Sequence, residues 1–244
     1  MASRDGMGAT PLRWDLTLTE EWLDEGRLGP DEVGANLRDL AFINRWLGGA
    51  SSVLGHVTRA MAASPPGERF HLADIACGGG DLLRAAADRA RRMGRAIFGL
   101  GVDADTHVLA YAQAASSAYP ELHWVRADAL GLPFGPASFD LVMCSCFLHH
   151  LAAEEAAALM ATAATLARRA VVLSDLVQSR LGVAGFRVLC GVARLHAVTR
   201  HDGLVSLRRA YRREELLEIA NLAGGNWQLH RHRFCRAALT LSLA

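Results

Sequence analysis

The spacing of the hydrophobic positions changes near residue 65. From residue 20 to residue 61 apolar side chains recur at helical intervals, with Gly48-Gly49 as a break between two helices. The Ser-Pro-Pro-Gly segment at 64–67 then interrupts the pattern. We therefore predict an N-terminal helical region, residues 1–64, followed by a core, residues 65–244.

Beyond this break, short apolar runs alternate with stretches that have helical periodicity. Helices are predicted at 81–93, 105–118, 154–167 and 213–223, and strands at 70–76, 96–102, 123–127, 139–145, 170–175, 227–233 and 237–243. Such alternation with apolar strands is typical of a parallel sheet that helices cover on both faces. The sequence predicts an α/β fold with a doubly wound, seven-stranded, mostly parallel sheet. Residues 179–209 show no clean strand and are predicted to be an insertion.

Composition narrows the possible chemistry. All 26 basic side chains are arginine, and 25 acidic residues bring the formal net charge to +1. A chain without lysine cannot form a Schiff base or use the phosphate-binding lysine of a P-loop or a kinase. The balanced charge gives no indication of nucleic acid as a partner.

The cysteines and the hydropathy profile predict a cellular location. The five cysteines form no Cys-x-x-Cys pair, which favours a reduced, cytoplasmic protein. Apolar runs are far shorter than the roughly 20 residues of a membrane span, and the N-terminus lacks the pattern of a secretion signal. We expect no membrane span.

The most informative segment lies at the junction of the first strand and the first core helix. Residues 72–81 read Leu-Ala-Asp-Ile-Ala-Cys-Gly-Gly-Gly-Asp, and glycines here let the backbone approach a ligand next to a helix N-terminus. Asp103 ends the second strand and Asp128 ends the third. Ligands of open α/β sheets bind at the carboxyl ends of the strands, so these three features are expected to share one crevice.

Four motifs in this order resemble those of the class I S-adenosylmethionine-dependent methyltransferases. They are Asp-x-Ala-Cys-Gly-x-Gly at 74–80, Gly-Val-Asp at 101–103, Arg-Ala-Asp-Ala-x-x-Leu-Pro-Phe at 126–134 and Phe-Asp-Leu-Val at 139–142. The resemblance covers residues 70–176 well, with Ala76 in place of the first glycine of the family. It implies a Rossmann-like methyltransferase fold, S-adenosylmethionine as the cofactor and an N-terminal helical lid. Dinucleotide-binding oxidoreductases, the main alternative, have more widely spaced glycines.

The resemblance also implies roles at the methionine end of the cofactor. Ala76, Gly78 and Gly80 belong to the loop under the methionine, and Asp74 braces that loop or meets the amino group. Cys144, near the end of the fourth strand, is expected beneath the sulfonium.

At the nucleoside end, the resemblance implies that Asp103 accepts hydrogen bonds from both ribose hydroxyls and that Ala104 lies beside the adenine. Asp128 is expected to bind the adenine amino group, with the backbone of Ala129 assisting.

A phenolic acceptor needs a base, and arginine cannot serve as one because its pKa exceeds about 12. His149, in the Leu-His-His stretch after the fourth strand, and His201, in the insertion, are the predicted catalytic residues; His150 and His196 are further candidates. No metal site is expected, because Asp175 has no Asp-Asn partner after it.

The expected substrate is a hydrophobic small molecule. The apolar insertion and the nearby histidines favour O-methylation of a phenolic or polyketide-like hydroxyl, by resemblance to quinone and secondary-metabolite methyltransferases. The alternatives are C-methylation of a quinone-type ring and a non-catalytic cofactor-binding protein. A macromolecular substrate is disfavoured, because no basic patch or appended binding module is apparent. Monomer and homodimer both stay open.

Overall fold

A computed structural model describes residues 20–243 and has eight α-helices and seven β-strands in that range. The helices are α1 (Pro30–Trp46), α2 (Gly49–Ala63), α3 (Asp81–Arg92), α4 (Thr106–Ala115), α5 (Ala153–Leu166), α6 (Arg180–Val192), α7 (Ala197–Arg209) and α8 (Arg213–Ala223). The strands are β1 (Phe70–Ile75), β2 (Ile97–Asp103), β3 (Leu122–Arg126), β4 (Phe139–Ser145), β5 (Ala167–Leu176), β6 (Gln228–His232) and β7 (Arg236–Ser242). A short 3-10 helix, Leu148–His150, follows β4.

The strands form one sheet in the order β3-β2-β1-β4-β5-β7-β6. The first five strands are parallel, and β7 pairs antiparallel with both β5 and β6. Every residue of β4 except the last is buried, Asp140 included, as expected of a central strand with helices on both faces. The predicted doubly wound, mostly parallel sheet is confirmed.

Helices cover both faces of this sheet. One core cluster joins α5 and α8 to the sheet through Met160, Leu216 and Ile219. A second cluster joins α2 and α3 to the sheet through Val57, Met61 and Leu83, so α2 is a sheet-covering helix. Of the predicted N-terminal region, residues 1–19 lie outside the described residues. The division of the chain at residues 64 and 65 stays a prediction.

Two segments differ from the predicted elements. Residues 20–29 form turns and extended chain where the sequence pattern predicted helix, because the turn glycine Gly26 has a φ of +65° and Pro30 starts α1. The insertion folds as α6 and α7, and Ser179 caps α6 by accepting a hydrogen bond from the Gly182 N–H at 3.1 Å. Three glycines in α6 obscure its helical pattern. Within residues 20–243, the helices are all too short or too polar to cross a membrane.

Candidate functional site

A cavity of about 970 Å³ lies at the carboxyl ends of the parallel strands. The loops after β1, β2, β3 and β4 form its floor, while α1, α6 and α7 form its walls. This volume is at the upper end of the range for small-molecule sites, which allows for two ligands side by side. The predicted crevice is therefore present in the fold.

The loop after β1 is fixed to the end of β2 through Asp103. Its carboxylate accepts hydrogen bonds from the Gly78 N–H at 3.0 Å and from the Asp105 N–H at 3.1 Å. Burial raises the pKa of Asp103, while these backbone donors favour its ionised form. The two bonds orient a carboxylate in the cavity wall, as the recognition of a diol requires.

Asp74 is a buried acid in the cavity wall. Within the part of the chain that the structure describes, neither of its carboxylate oxygens has a hydrogen-bond partner. Burial, followed by the neighbouring carboxylates of Asp81 and Asp103, raises the pKa of Asp74 well above its usual range. A buried carboxylate without a partner is costly, so this position is suited to a cationic ligand group.

Of the predicted cofactor-binding residues, most line the cavity and two do not. Ala76, Ala104, Asp128 and Ala129 join Asp74, Gly78 and Asp103 in the wall. Gly80 packs against Trp124 at the start of α3, and Cys144 is buried in the core below the cavity floor. Ser145 and Cys146, which follow Cys144, reach the wall instead. Ala76 has a φ of +53°, a conformation that costs an alanine about 1–2 kcal/mol.

Arg236 is a cationic cavity residue that the sequence analysis did not identify. Its side chain is buried, and within residues 20–243 its guanidinium contacts neutral groups, Sγ of Cys146 at 2.8 Å and Oδ1 of Asn44 at 3.3 Å. Asn44 in turn donates to Asp81 at the N-terminus of α3. Arg236 therefore lies near the glycine loop with its charge available to an anionic ligand group. The only feature of the sequence that could have indicated this residue is an arginine at the start of an apolar strand.

His149 lies in the cavity wall between two carboxylates. Its Nδ1 lies 2.6 Å from Oδ1 of Asp175, and its Nε2 lies 3.7 Å from Oε1 of Glu21. Burial lowers the pKa of His149, but the Asp175 carboxylate and then Glu21 outweigh that effect and raise it to about 10. His150 is adjacent and contacts Asp24 through Nδ1 at 2.9 Å. Glu21 lies far from these histidines along the chain, and no sequence pattern predicted a role for it.

His201 lies outside the cavity wall. Its ring stacks on Trp22 at 4.2 Å between centroids, and its Nδ1 lies 2.9 Å from Asp202. Asp202 accepts hydrogen bonds from the backbone N–H groups of Trp22 and Leu23. This pair holds the N-terminal segment against α7, so the structure does not bring His201 together with His149.

The side of the cavity formed by α1, α6 and α7 is largely apolar. Burial of apolar ligand surface is favourable by about 25 cal/mol per Å². The residues that provide this surface include Leu37, Leu40, Phe186, Leu189 and Leu207.

Comparison with known proteins identifies the core. Residues 72–170 match the family model described as a methyltransferase domain. This segment of the chain is similar to a methyltransferase domain. A 91-residue segment is 39% identical to the 2-phytyl-1,4-naphtoquinone methyltransferase of Thermosynechococcus vestitus, covering 36% of this chain and 38% of that relative.

Solved structures of methyltransferases are similar to this chain over more of its length than the family model covers. An S-adenosylmethionine-dependent methyltransferase from Aquifex aeolicus has a TM-score of 0.61 at 12% identity, covering 89% of this chain and all of that one. Magnesium protoporphyrin IX methyltransferase from Synechocystis PCC 6803, with bound S-adenosylhomocysteine, has a TM-score of 0.54 at 20% identity, covering 83% and 88%. At these identities the likeness shows the fold. The sequence motifs of this segment resemble those of the class I type, which uses S-adenosylmethionine as its cofactor.

The cavity residues fit this cofactor. Asp74 is a buried acid without a partner among residues 20–243, as a bound ammonium group requires. Arg236 provides a positive charge for a carboxylate, and Asp103 provides an oriented acceptor for hydroxyl groups. These residues complement the amino-acid and ribose parts of S-adenosylmethionine.

Proposed function

We propose that the protein transfers a methyl group from S-adenosylmethionine to a hydrophobic aromatic small molecule. The observation that carries this proposal is the single cavity in which the polar groups around Asp74 and Asp103 adjoin an apolar region formed by α6 and α7. The cofactor supplies the activated methyl group as a sulfonium. Because its leaving group is already good, the protein contributes mainly alignment and exclusion of water.

Each group of cavity residues then has a distinct task. Asp103 would hold the ribose hydroxyls, Asp128 and Ala129 the adenine, and Asp74 and Arg236 the amino-acid group. The apolar side chains of α6 and α7 would bind the acceptor and keep water from the reacting atoms. Gly78 keeps Asp103 in position through its backbone N–H.

O-methylation of a phenolic hydroxyl remains the favoured reaction. His149 faces the cavity and Asp175 fixes its ring. A pKa near 10 means that His149 is protonated at neutral pH in this arrangement, so its role as a base requires that it first lose that proton. Its protonated ring can instead stabilise a phenolate acceptor.

C-methylation of a quinone-type ring is the second candidate. It is supported by the curated relative that is named for a naphthoquinone, although only 36% of this chain aligns with it. A homodimer and the absence of nucleic-acid partners stay predictions.

Calorimetric titration with S-adenosylhomocysteine tests cofactor binding. Replacing Asp103 by alanine should raise the dissociation constant about 10- to 100-fold, since a charge-assisted hydrogen bond contributes about 1.5–3 kcal/mol. The control is Asp88→Ala, which removes an α3 carboxylate that binds Tyr119 away from the cavity. Equal affinity of the Asp103 variant and the wild type would contradict the assignment.

A panel of long-chain phenols and naphthoquinones, incubated with labelled S-adenosylmethionine, tests the acceptor. Mass spectrometry of the products locates the methyl group on oxygen or on carbon. Cofactor binding without methylation of any panel member would favour the non-catalytic alternative over both reactions.

A further inference from the structure

Two histidines and a glutamate converge on one point of the cavity wall. Oε1 of Glu21 lies 3.7 Å from Nε2 of His149 and 3.8 Å from Nε2 of His150. One ligand-type atom of each residue lies within 4.8 Å of the other two. In a metal site with bonds of about 2.0–2.2 Å, ligand atoms lie about 3.0–3.5 Å apart, so a small contraction would complete this set.

Both imidazoles are oriented by a second carboxylate. Asp175 lies 2.6 Å from Nδ1 of His149, and Asp24 lies 2.9 Å from Nδ1 of His150. In each ring the contact between Nδ1 and the carboxylate orients the imidazole so that Nε2 lies toward Glu21. A carboxylate on the far nitrogen is the usual support of a metal-binding histidine, because it fixes the tautomer and makes the ligand nitrogen more basic.

The charges of the cluster also suit a cation. The carboxylates of Glu21 and Asp175 are only 6% and 2% exposed. Buried carboxylates are stable only when they are paired with positive charge or coordinate a metal. Without a metal, the protonated ring of His149 balances part of this negative charge. A bound divalent cation would displace that proton and balance the two carboxylates, while the imidazoles bind it as neutral ligands.

We propose that Glu21, His149 and His150 bind a divalent first-row transition metal, such as Zn²⁺ or Fe²⁺. Two histidines and one carboxylate are a common ligand set for these ions, and they leave coordination positions open toward the cavity. The sequence predicted no metal site, because Asp175 has no Asp-Asn partner after it and no local pattern links Glu21 to the histidines. Metal binding does not depend on the proposed methyl transfer. The binding of an acceptor oxygen by the metal would rest on that function.

The test uses untagged protein that has been stripped with a chelator and titrated with Zn²⁺ or Co²⁺. We expect uptake of about one ion per chain by calorimetry and plasma mass spectrometry. Saturation at 100 times the dissociation constant should raise the melting temperature by about 5–10 °C. The variants Glu21→Gln and His150→Gln should bind at least about 100-fold more weakly, and Asp24→Asn about 10- to 100-fold more weakly.

A second histidine cluster provides the control. The ring of His56 lies 5.0 Å from that of His230 and 6.3 Å from that of His232. This cluster does not line the cavity and could bind a metal adventitiously. His230→Gln should keep the affinity of the wild type. The proposal is overturned if the wild type takes up no stoichiometric metal, or if both Glu21→Gln and His150→Gln bind as the wild type does. Titration of the same metal-free samples with S-adenosylhomocysteine separates this result from a failure of the proposed function.

Discussion

Gly80 illustrates how one residue constrains the loop below the cavity. It is the N-cap of α3 and has a φ of +70°, and a β-carbon at this position would overlap the ring of Trp124. The residue therefore meets a conformational and a steric requirement at once. Packing explains why a glycine stands here, since a side chain at this position would point at Trp124 and not into the cavity.

Replacing Gly80 by alanine should lower the free energy of unfolding by about 2–4 kcal/mol, because left-handed strain adds to overpacking. Urea denaturation measures this change. Gly94→Ala is the matched control: its φ is +64°, but nothing lies within 4 Å of the added carbon, so a loss of about 1 kcal/mol is expected. Equal losses in the two variants would show that Trp124 does not oppose a side chain.

Arg236 can be tested by removing the ligand group that it is proposed to bind. Arg236→Gln should weaken the binding of S-adenosylhomocysteine about 10- to 100-fold, by loss of a charge-assisted contact. Binding of 5′-methylthioadenosine, which has no carboxylate, should change little. Calorimetry with both ligands separates recognition of the carboxylate from damage to the cavity. An equal loss for the two ligands would argue for damage.

At the scale of elements, the N-terminal segment depends on α7 for its position. Asp202 accepts hydrogen bonds from the N–H groups of Trp22 and Leu23, and Ser206 donates to Glu21 at 2.6 Å. These contacts bring Glu21 to the histidines after β4. The predicted insertion, which contains α7, therefore positions a residue of the cavity.

Asp202→Ala should release this segment. Loss of two hydrogen bonds to a carboxylate should speed the exchange of the amide hydrogens of Trp22 and Leu23 by about 10- to 100-fold. Hydrogen-exchange mass spectrometry of a peptide covering residues 20–29 gives the measurement. Asp31→Ala, which changes an exposed acid in the first turn of α1, should leave that exchange unchanged. Unaltered exchange in the Asp202 variant would rule out this anchoring.

At the scale of the whole molecule, α2 near the start of the chain meets β6 near its end. The ring of His56 lies 5.0 Å from that of His230 and 6.3 Å from that of His232. Burial, then the charge of Arg59, then the two histidines lower the pKa of His56 from 6.5 to about 4. The unfolded chain therefore binds a proton at a pH where the folded protein does not.

It follows that the free energy of unfolding should fall as the pH decreases from about 6.5 toward 4. His56→Gln should reduce this dependence, because it removes the group that is protonated more readily in the unfolded chain. Urea denaturation at several pH values compares the two proteins. Parallel curves over that interval would mean that the acid sensitivity arises elsewhere, for example in carboxylates.

The sequence was most informative where local physics decides the outcome. The bounds of β4 were predicted without error, and most other core elements fell within a few residues of their observed positions, because their apolar periodicity has one interpretation. The sequence pattern did not predict α6, because glycines weaken its helical periodicity. It wrongly predicted helix at residues 20–29, because apolar side chains there are spaced as in a helix.

By itself, the sequence determined the α/β class, the methyltransferase motifs and the crevice at the strand ends, because the alternation of strands with helices and the glycine loop are local patterns. Only the tertiary structure brought Glu21 beside His149, placed Arg236 next to Asn44 and moved His201 away from the cavity. These contacts join residues far apart in the chain. Their geometry depends on how helices pack over the sheet, and no local pattern of side chains encodes it.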